Sequence, residues 1–343
     1  MIPAHLKDAF AHQAQACRHL GSPFMGQLCD LLATRGWPDS PLREKYAKWE
    51  GDIGPSAQSL PLRLAGGLHA LALQGDELAA SYPPVSVSDD ALWGAVSTAM
   101  TRQSAFLCDW VDSPPQTNEV RRSAALIAVG QLLAHRFDLP MRLSELGASG
   151  GLNLMWDRFE LDIAGARFGR ANSAVRLTPV WEGPMPPVAV PQVTERRGVD
   201  LNPLDPRLDA DQLRLQAYLW PDQHDRLQRT RAAIALSEAS VDRADAIDWL
   251  EGRLDHTRGH LHLIYSTIAW QYFPKDTQAR GTAKIEAAGA AATADSPLAW
   301  FAMEPDGASP GAAMTLRIWP QNRTIRLGRI DFHGRWVNWK GWL

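Results

Sequence analysis

Cysteine is scarce in this chain. Cys17, Cys29 and Cys108 are few, odd in number and confined to the first third. That pattern excludes a disulfide framework and a clustered zinc site, and fits reduced thiols in a cytosol. A basic block is missing as well. The chain carries 35 Lys and Arg against 38 Asp and Glu, a formal net charge of −3, so it has no electrostatic footprint for nucleic acid. Long apolar runs are also lacking. The longest, residues 124–134, is interrupted by Gly130 and Gln131 and is too short to span a bilayer. Residues 1–10 show no basic start followed by an apolar stretch, so no signal peptide is expected. A soluble cytoplasmic protein without nucleic-acid or membrane partners is the expectation.

What is present is globular: 343 residues, 45% apolar and 21% charged, enough for a sizeable core. Apolar residues recur at helical spacing over 7–32, 60–78 and 88–112, and nothing before residue 115 alternates like a strand. Residues 1–115 are therefore expected to be an all-helical unit. Ser113-Pro114-Pro115 marks a boundary, and Thr117 or Asn118 can cap a helix over 119–137. From there strands and helices alternate. Strands are expected at 142–146, 193–201, 241–245, 261–268 and 298–303, with helices at 209–219, 222–239 and 275–292. A hairpin is expected over 160–177, and the segment 179–191, with its five prolines, reads as irregular. Residues 314–319 and 323–332 alternate around the turn Gln321-Asn322, which predicts a closing antiparallel hairpin. The whole of 116–343 thus reads as an α/β domain with a mostly parallel, doubly wound sheet and an insert at 160–191.

One stretch organises this domain. A short apolar run carries Glu145, breaks at Gly147, and continues through Ala148, Ser149, Gly150 and Gly151 into a helical pattern opening at Leu152 and Asn153. Glycines let the backbone turn with positive φ, and the first amides of a following helix attract negative charge. In an open α/β sheet the ligand sits at the carboxyl ends of the strands, where the strand order reverses. Those ends supply Gly147 to Gly151, Asp200 with Asn202, Asp245, and the stretch from Ser266 through Trp270, Gln271 and Tyr272. A carboxylate ending the second strand can accept both ribose hydroxyls, and one ending the third can accept from an exocyclic adenine amine.

Glu145-Leu-Gly147-Ala-Ser149-Gly-Gly151 resembles the first motif of the class I S-adenosylmethionine-dependent methyltransferases, and the expected Rossmann-like seven-stranded order with a final antiparallel hairpin is similar too. Over nearly its full length the chain also resembles the bacterial family catalogued as domain of unknown function 2332. The matching stretches are 116–120, 145–154, 196–205, 241–249, 270–272 and 333–336. The resemblance implies a methyltransferase-like fold and S-adenosylmethionine as cofactor. It places the loop at Gly147 at the methionine end, Asp200 at the ribose and Asp245 at the adenine, with Glu145, Ser149, Gly151, Asn153 and Asn202 as further cofactor-binding candidates. It extends to Gln116, Thr117, Asn118 and Glu119, which suggests that this polar segment covers the cofactor instead of only capping a helix. Two features depart from the motif. Ser149 stands where its middle glycine is usual, and Asp200 follows the loop by about fifty positions instead of roughly twenty.

Methyl transfer to an unknown, small-molecule acceptor is the resulting expectation, under which the helical unit over 1–115 would close over the site and shape its pocket. Ser266, Trp270, Gln271 and Tyr272 form the expected substrate face, and no residue stands out as general base. Two alternatives carry weight: a protein that binds S-adenosylmethionine or a related adenosine ligand without turnover, and a serine hydrolase. Gly147-Ala-Ser149-Gly-Gly151 also satisfies the G-x-S-x-G elbow, and a triad of Ser149, Asp306 and His333 can be drawn. That elbow normally follows several strands of the sheet, whereas only helices precede it here. His256, His260 and His262 lack the carboxylates or cysteines that would complete a metal site, so no metal is expected.

Overall fold

The computed structural model describes residues 2–54 and 57–342. The chain divides into two compact units, one holding residues up to Thr117 together with Leu208–Gln228, the other Asn118–Arg207 and the chain from Arg229 onward.

The helical unit contains α1 (Ala4–His19), α2 (Pro23–Thr34), α3 (Pro41–Ala47), α4 (Leu60–Leu73), α5 (Asp89–Arg102) and α6 (Ser104–Trp110). Local chemistry sets several of its starts. Ser22 and Ser88 accept from the amides of Met25 and Ala91, Pro23 occupies the first turn of α2, and Asp89 and Asp90 sit at the positive end of α5. The expected single helix over 88–112 is broken at Gln103, and that over 60–78 ends at Leu73 and resumes as a 3-10 turn, Glu77–Ser81. The unit is not one continuous stretch. It also takes in α8 (Asp209–Ala217), and Ala217 and Tyr218 join its buried core. At Gly66 a Cβ would lie 2.4 Å from the Tyr218 ring, so α4 accommodates that tyrosine only by lacking a side chain there.

The second unit is built on a nine-stranded sheet. Its strands are β1 (Met141–Leu146), β5 (Val180–Glu182), β6 (Val193–Asp200), β7 (Ser240–Arg243), β8 (Leu261–Thr267), β9 (Leu298–Glu304), β10 (Ala312–Trp319), β11 (Arg323–Ile330) and β12 (Trp336–Trp339), in the order β5-β12-β11-β10-β9-β8-β1-β6-β7. The block β7-β6-β1-β8-β9 is parallel throughout, and β9 to β12 form an antiparallel meander. A separate small sheet, β3-β2-β4, joins β2 (Glu160–Ile163), β3 (Ala166–Gly169) and β4 (Arg176–Leu177). The helices of this unit are α7 (Ser123–Phe137), the greater part of α9 (His224–Ala235), α10 (Ala246–Glu251) and α11 (Lys275–Ala291). One sheet face packs under α7, with Leu143, Leu263 and Phe301 pointing that way. The other packs under α10 and α11, with Leu146, Ile264 and Leu298. Helices on both faces of a mostly parallel sheet make this a mixed α/β, doubly wound arrangement.

The expected seven strands are corrected to nine. The closing hairpin forms as β10–β11, but Trp336–Trp339 extends it by a further strand, and Val180–Glu182 pairs with that strand at the edge. Prolines confine a segment to sheet edges without barring it from pairing, which is why the proline-rich insert still supplies β5. Trp339 is buried on β12 with its ring 5.7 Å from that of Trp181 on β5, and Trp342 lies under Arg136, 4.3 Å from guanidinium carbon to ring centroid. The expected single helix over 119–137 is a 3-10 turn, Val120–Arg122, followed by α7, and neither Thr117 nor Asn118 caps it. Among the described residues no helix is long and apolar enough to cross a membrane. All three cysteines are free.

Candidate functional site

The parallel block turns outward in both directions from the β1–β8 pair. The chain runs from β1 to β6 and β7 on one side, then returns through β8 to β9 on the other. The ends of β1 and β8 therefore flank the point where a doubly wound sheet opens a crevice. Three pieces of chain meet there: the bend after Leu146, the end of β6, and the turn after Thr267.

The bend hangs on β6. The amides of Gly147 and Ala148 both donate to the Val199 carbonyl, at 2.9 and 3.0 Å. Positive φ recurs at every second residue: Gly147 (73°), Ser149 (54°) and Gly151 (69°). These are the three positions of the glycine motif, and Ser149 adopts the left-handed backbone that the usual glycine would take without cost. Its amide donates to Asp200 Oδ2 (2.9 Å), while Asp200 Oδ1 accepts from the Asn202 amide (2.9 Å). Its hydroxyl is buried and has no hydrogen-bond partner among the described residues. Ser149 thus combines a left-handed backbone with a buried hydroxyl that has no partner among the described residues, two features that each cost stability.

Beyond the bend the expected α-helix is a correction. Leu152–Arg158 is a 3-10 run, and its first amide is already occupied, since Leu152 donates to Asn118 Oδ1 (2.9 Å). Asn153 is equally engaged, with its side-chain Nδ2 donating to the Glu119 carbonyl (3.3 Å) and its Oδ1 accepting from the Ser123 hydroxyl (2.7 Å). Asn118 and Asn153 thus clamp the segment before α7 onto the bend, and the helix-end anion site anticipated from the sequence does not form. Thr117 is exposed and falls in the other unit.

Glu145 lies beneath the bend, 1% exposed, with Oε2 unpaired among the described residues. Burial pushes its carboxyl well above the usual range; Arg122 opposes that, Asp200 adds to it, and the neighbouring Tyr265 hydroxyl opposes it. Asp245 caps α10, with Oδ1 accepting from the Ile247 and Asp248 amides (2.9 and 3.1 Å) and from Arg280 (3.1 Å). The Ala244 amide donates to the Asp200 carbonyl (3.2 Å), so the ends of β6 and β7 are stitched together. Asn202 Oδ1 accepts from Arg243 (3.0 Å) at the same end.

The expected substrate face is split. Ser266 is fully buried and its Oγ completes no hydrogen bond among the described residues. Trp270 turns into the core under α11, with its ring 5.4 Å from Trp300 and its edge against Gly281. Gln271 and Tyr272 are exposed, Tyr272 by 74%. Sequence reasoning missed two residues here. Glu304, the last residue of β9, accepts the amides of Ala269 and Trp270 on Oε1 (3.0 Å each). Arg122 donates to the Thr267 carbonyl (2.9 Å) and the Phe332 carbonyl (3.0 Å). A carboxylate ending an otherwise apolar parallel strand was the available signal for the first.

A Ser149 triad is not assembled. With no partner on Ser149 Oγ there is no bond to His333, and Asp306 is held by both oxygens on Arg329 Nη1 (3.0 Å each). No group of acidic, histidine or cysteine side chains fit to hold a metal occurs among the described residues. His256 bonds the Ala288 carbonyl, and His262 is buried against Ser144.

A sequence model of DUF2332, an uncharacterized protein family conserved in bacteria, matches residues 7–339. The chain belongs to this family. The DUF2332 match spans the helical unit and the sheet unit alike, and includes the bend, Asp200, Asp245 and Glu304. Neither the curated proteins nor the solved structures provide a match to this DUF2332 chain.

The strain at Ser149 gives a direct expectation. Ser149→Gly relieves roughly 1–2 kcal/mol of left-handed backbone cost, offset by about 0.5–1 kcal/mol of extra chain entropy. Urea unfolding should show a variant slightly more stable than the native DUF2332 protein. A variant clearly less stable would show that the bend carries no such strain.

Proposed function

We propose that this protein binds S-adenosylmethionine across the carboxyl ends of β1, β6 and β7 and transfers its methyl group to a small-molecule acceptor. The observation that carries this reading is the run of positive φ at Gly147, Ser149 and Gly151, tied by the Ser149 amide to the carboxylate ending the neighbouring strand. The residues present fit the ligand. Each Asp200 oxygen takes one backbone amide, which leaves a lone pair on each for two ribose hydroxyls. The hydrogen bonds from Ile247, Asp248 and Arg280 to Asp245 fall on Oδ1, so in this reading Oδ2 accepts from the adenine amine. The unmet Ser149 hydroxyl adds a polar group at the methionine end.

When bound, the sulfonium supplies an activated methyl group. The protein's part is then to hold donor and acceptor in line and keep water out. A second reading, donor binding without turnover, is favoured by one feature: Trp270 packs into the core and Tyr272 faces outward, so the expected acceptor face is incomplete.

Calorimetry with S-adenosylmethionine and with its demethylated product tests the first step. Incubation with methyl-labelled donor and a bacterial metabolite extract tests the second. Heat of binding and a labelled product are expected. Silence at millimolar donor would end both readings, and binding without labelled product would leave only the second.

A further inference from the structure

Methyl transfer to an O–H or N–H group releases a proton, and the sequence offers no base at the end of the fourth parallel strand. The structure brings one there from the fifth. Glu304 ends β9, beside β8, and reaches under the turn that follows Thr267. Only one of its oxygens is committed to the fold. Oε1 accepts both the Ala269 and Trp270 amides at 3.0 Å, whereas Oε2 is buried with no partner among the described residues. Ser266 sits on the same sheet face, since its register partner Ala302 precedes Glu304 by two residues. Its fully buried hydroxyl lies close enough to favour the ionised carboxyl yet completes no hydrogen bond.

Two further observations tie this pair to the donor bend. Ala269, whose amide Glu304 holds, packs against Gly147: a Cβ added to that glycine would lie 2.5 Å from the alanine methyl. The carboxyl is therefore one residue removed from the bend proposed to cradle the methionine end. Between Thr267 and Ala269, Ile268 adopts φ of 55°. A β-branched side chain in the left-handed region is a true outlier, and such strain persists where the surroundings demand a particular shape. The turn is being held in place for something.

We propose that Glu304 is the catalytic base, taking the proton from a neutral O–H or N–H acceptor as the methyl group arrives. The inference rests on the methyltransferase reading above. The acceptor's lone pair forms a bond to the methyl carbon, the carbon–sulfur bond breaks with its pair going to sulfur, and the acceptor proton passes to Glu304 Oε2. The sulfonium becomes a neutral thioether and the carboxylate a carboxylic acid, so charge and atoms balance. Burial raises the carboxyl, against the Ala269 and Trp270 amides and the Ser266 hydroxyl, which makes it a stronger proton acceptor than an exposed glutamate.

Glu304→Gln tests this with little disturbance, because the amide oxygen still accepts from Ala269 and Trp270. Native protein and variant are compared for S-adenosylmethionine affinity by calorimetry, and for label transfer from methyl-labelled donor to a bacterial metabolite extract across pH. Donor affinity is expected to stay at the native value while labelling falls on the order of 100-fold or more. Glu304→Asp should recover part of the rate. The native protein should lose activity as pH falls through the carboxyl's titration, and the residual rate of Glu304→Gln should lack that acid limb. Undiminished labelling by Glu304→Gln overturns the assignment alone. So does loss of donor binding by the variant, which would place the carboxyl in the donor site or the fold. Failure of the native protein to bind donor, or to label any acceptor, overturns the methyltransferase reading and this base with it.

Discussion

Asp200→Ala is expected to destabilise the sheet unit by about 2–3 kcal/mol and to remove donor binding. The carboxylate accepts the Ser149 and Asn202 amides at 2.9 Å each, one partly buried and one exposed. Hydrogen bonds to a charged group contribute about 1.5–3 kcal/mol, and a buried amide left without a partner costs about 1–3 kcal/mol. The exposed Asn202 amide finds water, so the Ser149 amide dominates the loss. Asp200→Asn separates the two roles. Its single remaining oxygen still accepts the Ser149 amide, so urea unfolding should show a much smaller loss. It cannot accept two ribose hydroxyls as a carboxylate does. Losing one or both bonds at about 1.5–3 kcal/mol each should weaken S-adenosylmethionine by on the order of 100-fold. If calorimetry shows Asp200→Asn binding the donor as tightly as the native protein, the ribose role is finished.

Acid should unfold the sheet unit through a single buried histidine. His262 lies on β8 with its Nε2 2.8 Å from Ser144 Oγ, and Arg253 Nε donates to that same hydroxyl at 3.1 Å. Burial pulls its pKa down to about 3, helped by Arg142, Arg253 and His256 and opposed by Glu195. The unfolded chain restores it to about 6.5. The folded state therefore prefers the neutral ring. The stability this confers is fully present above pH 6.5, drains away as pH falls from about 6.5 towards 3, and is gone below that. The drop corresponds to roughly 4–5 kcal/mol. Urea midpoints taken between pH 7 and pH 4 should decline steeply for the native protein. His262→Gln, which cannot titrate, should be less stable at pH 7 yet decline less steeply. Parallel curves for the two proteins would refute the assignment.

Much of the architecture was legible because it is written in local chemistry. Leu261–Thr267 and Leu298–Glu304 are strands whose mainly apolar runs need no knowledge of their neighbours, and Val193–Asp200 was legible as a strand although it carries four charged residues. The hairpins turning at Gly165 and at Asn322 follow from residues that tolerate positive φ. The glycine bend was equally readable, including the odd serine within it. Less was legible where one segment depends on another far along the chain. Asn118 looked like a cap because the sequence shows only the helix after it, while its true partner is the Leu152 amide. Trp270 looked like a substrate contact because it follows a strand end, while Gly281 leaves room for its ring beneath α11.

By itself the sequence determined that a helical unit precedes a mostly parallel α/β sheet, and where the backbone bends sharply after the first strand, because periodicity and turn chemistry act over a few residues. Only the tertiary structure decided that Leu208–Gln228 belongs with the helices, that the sheet runs to nine strands, and that Glu304 ends beside Ala269. Those outcomes depend on which distant surfaces pack and pair, and no local pattern encodes a strand's neighbour.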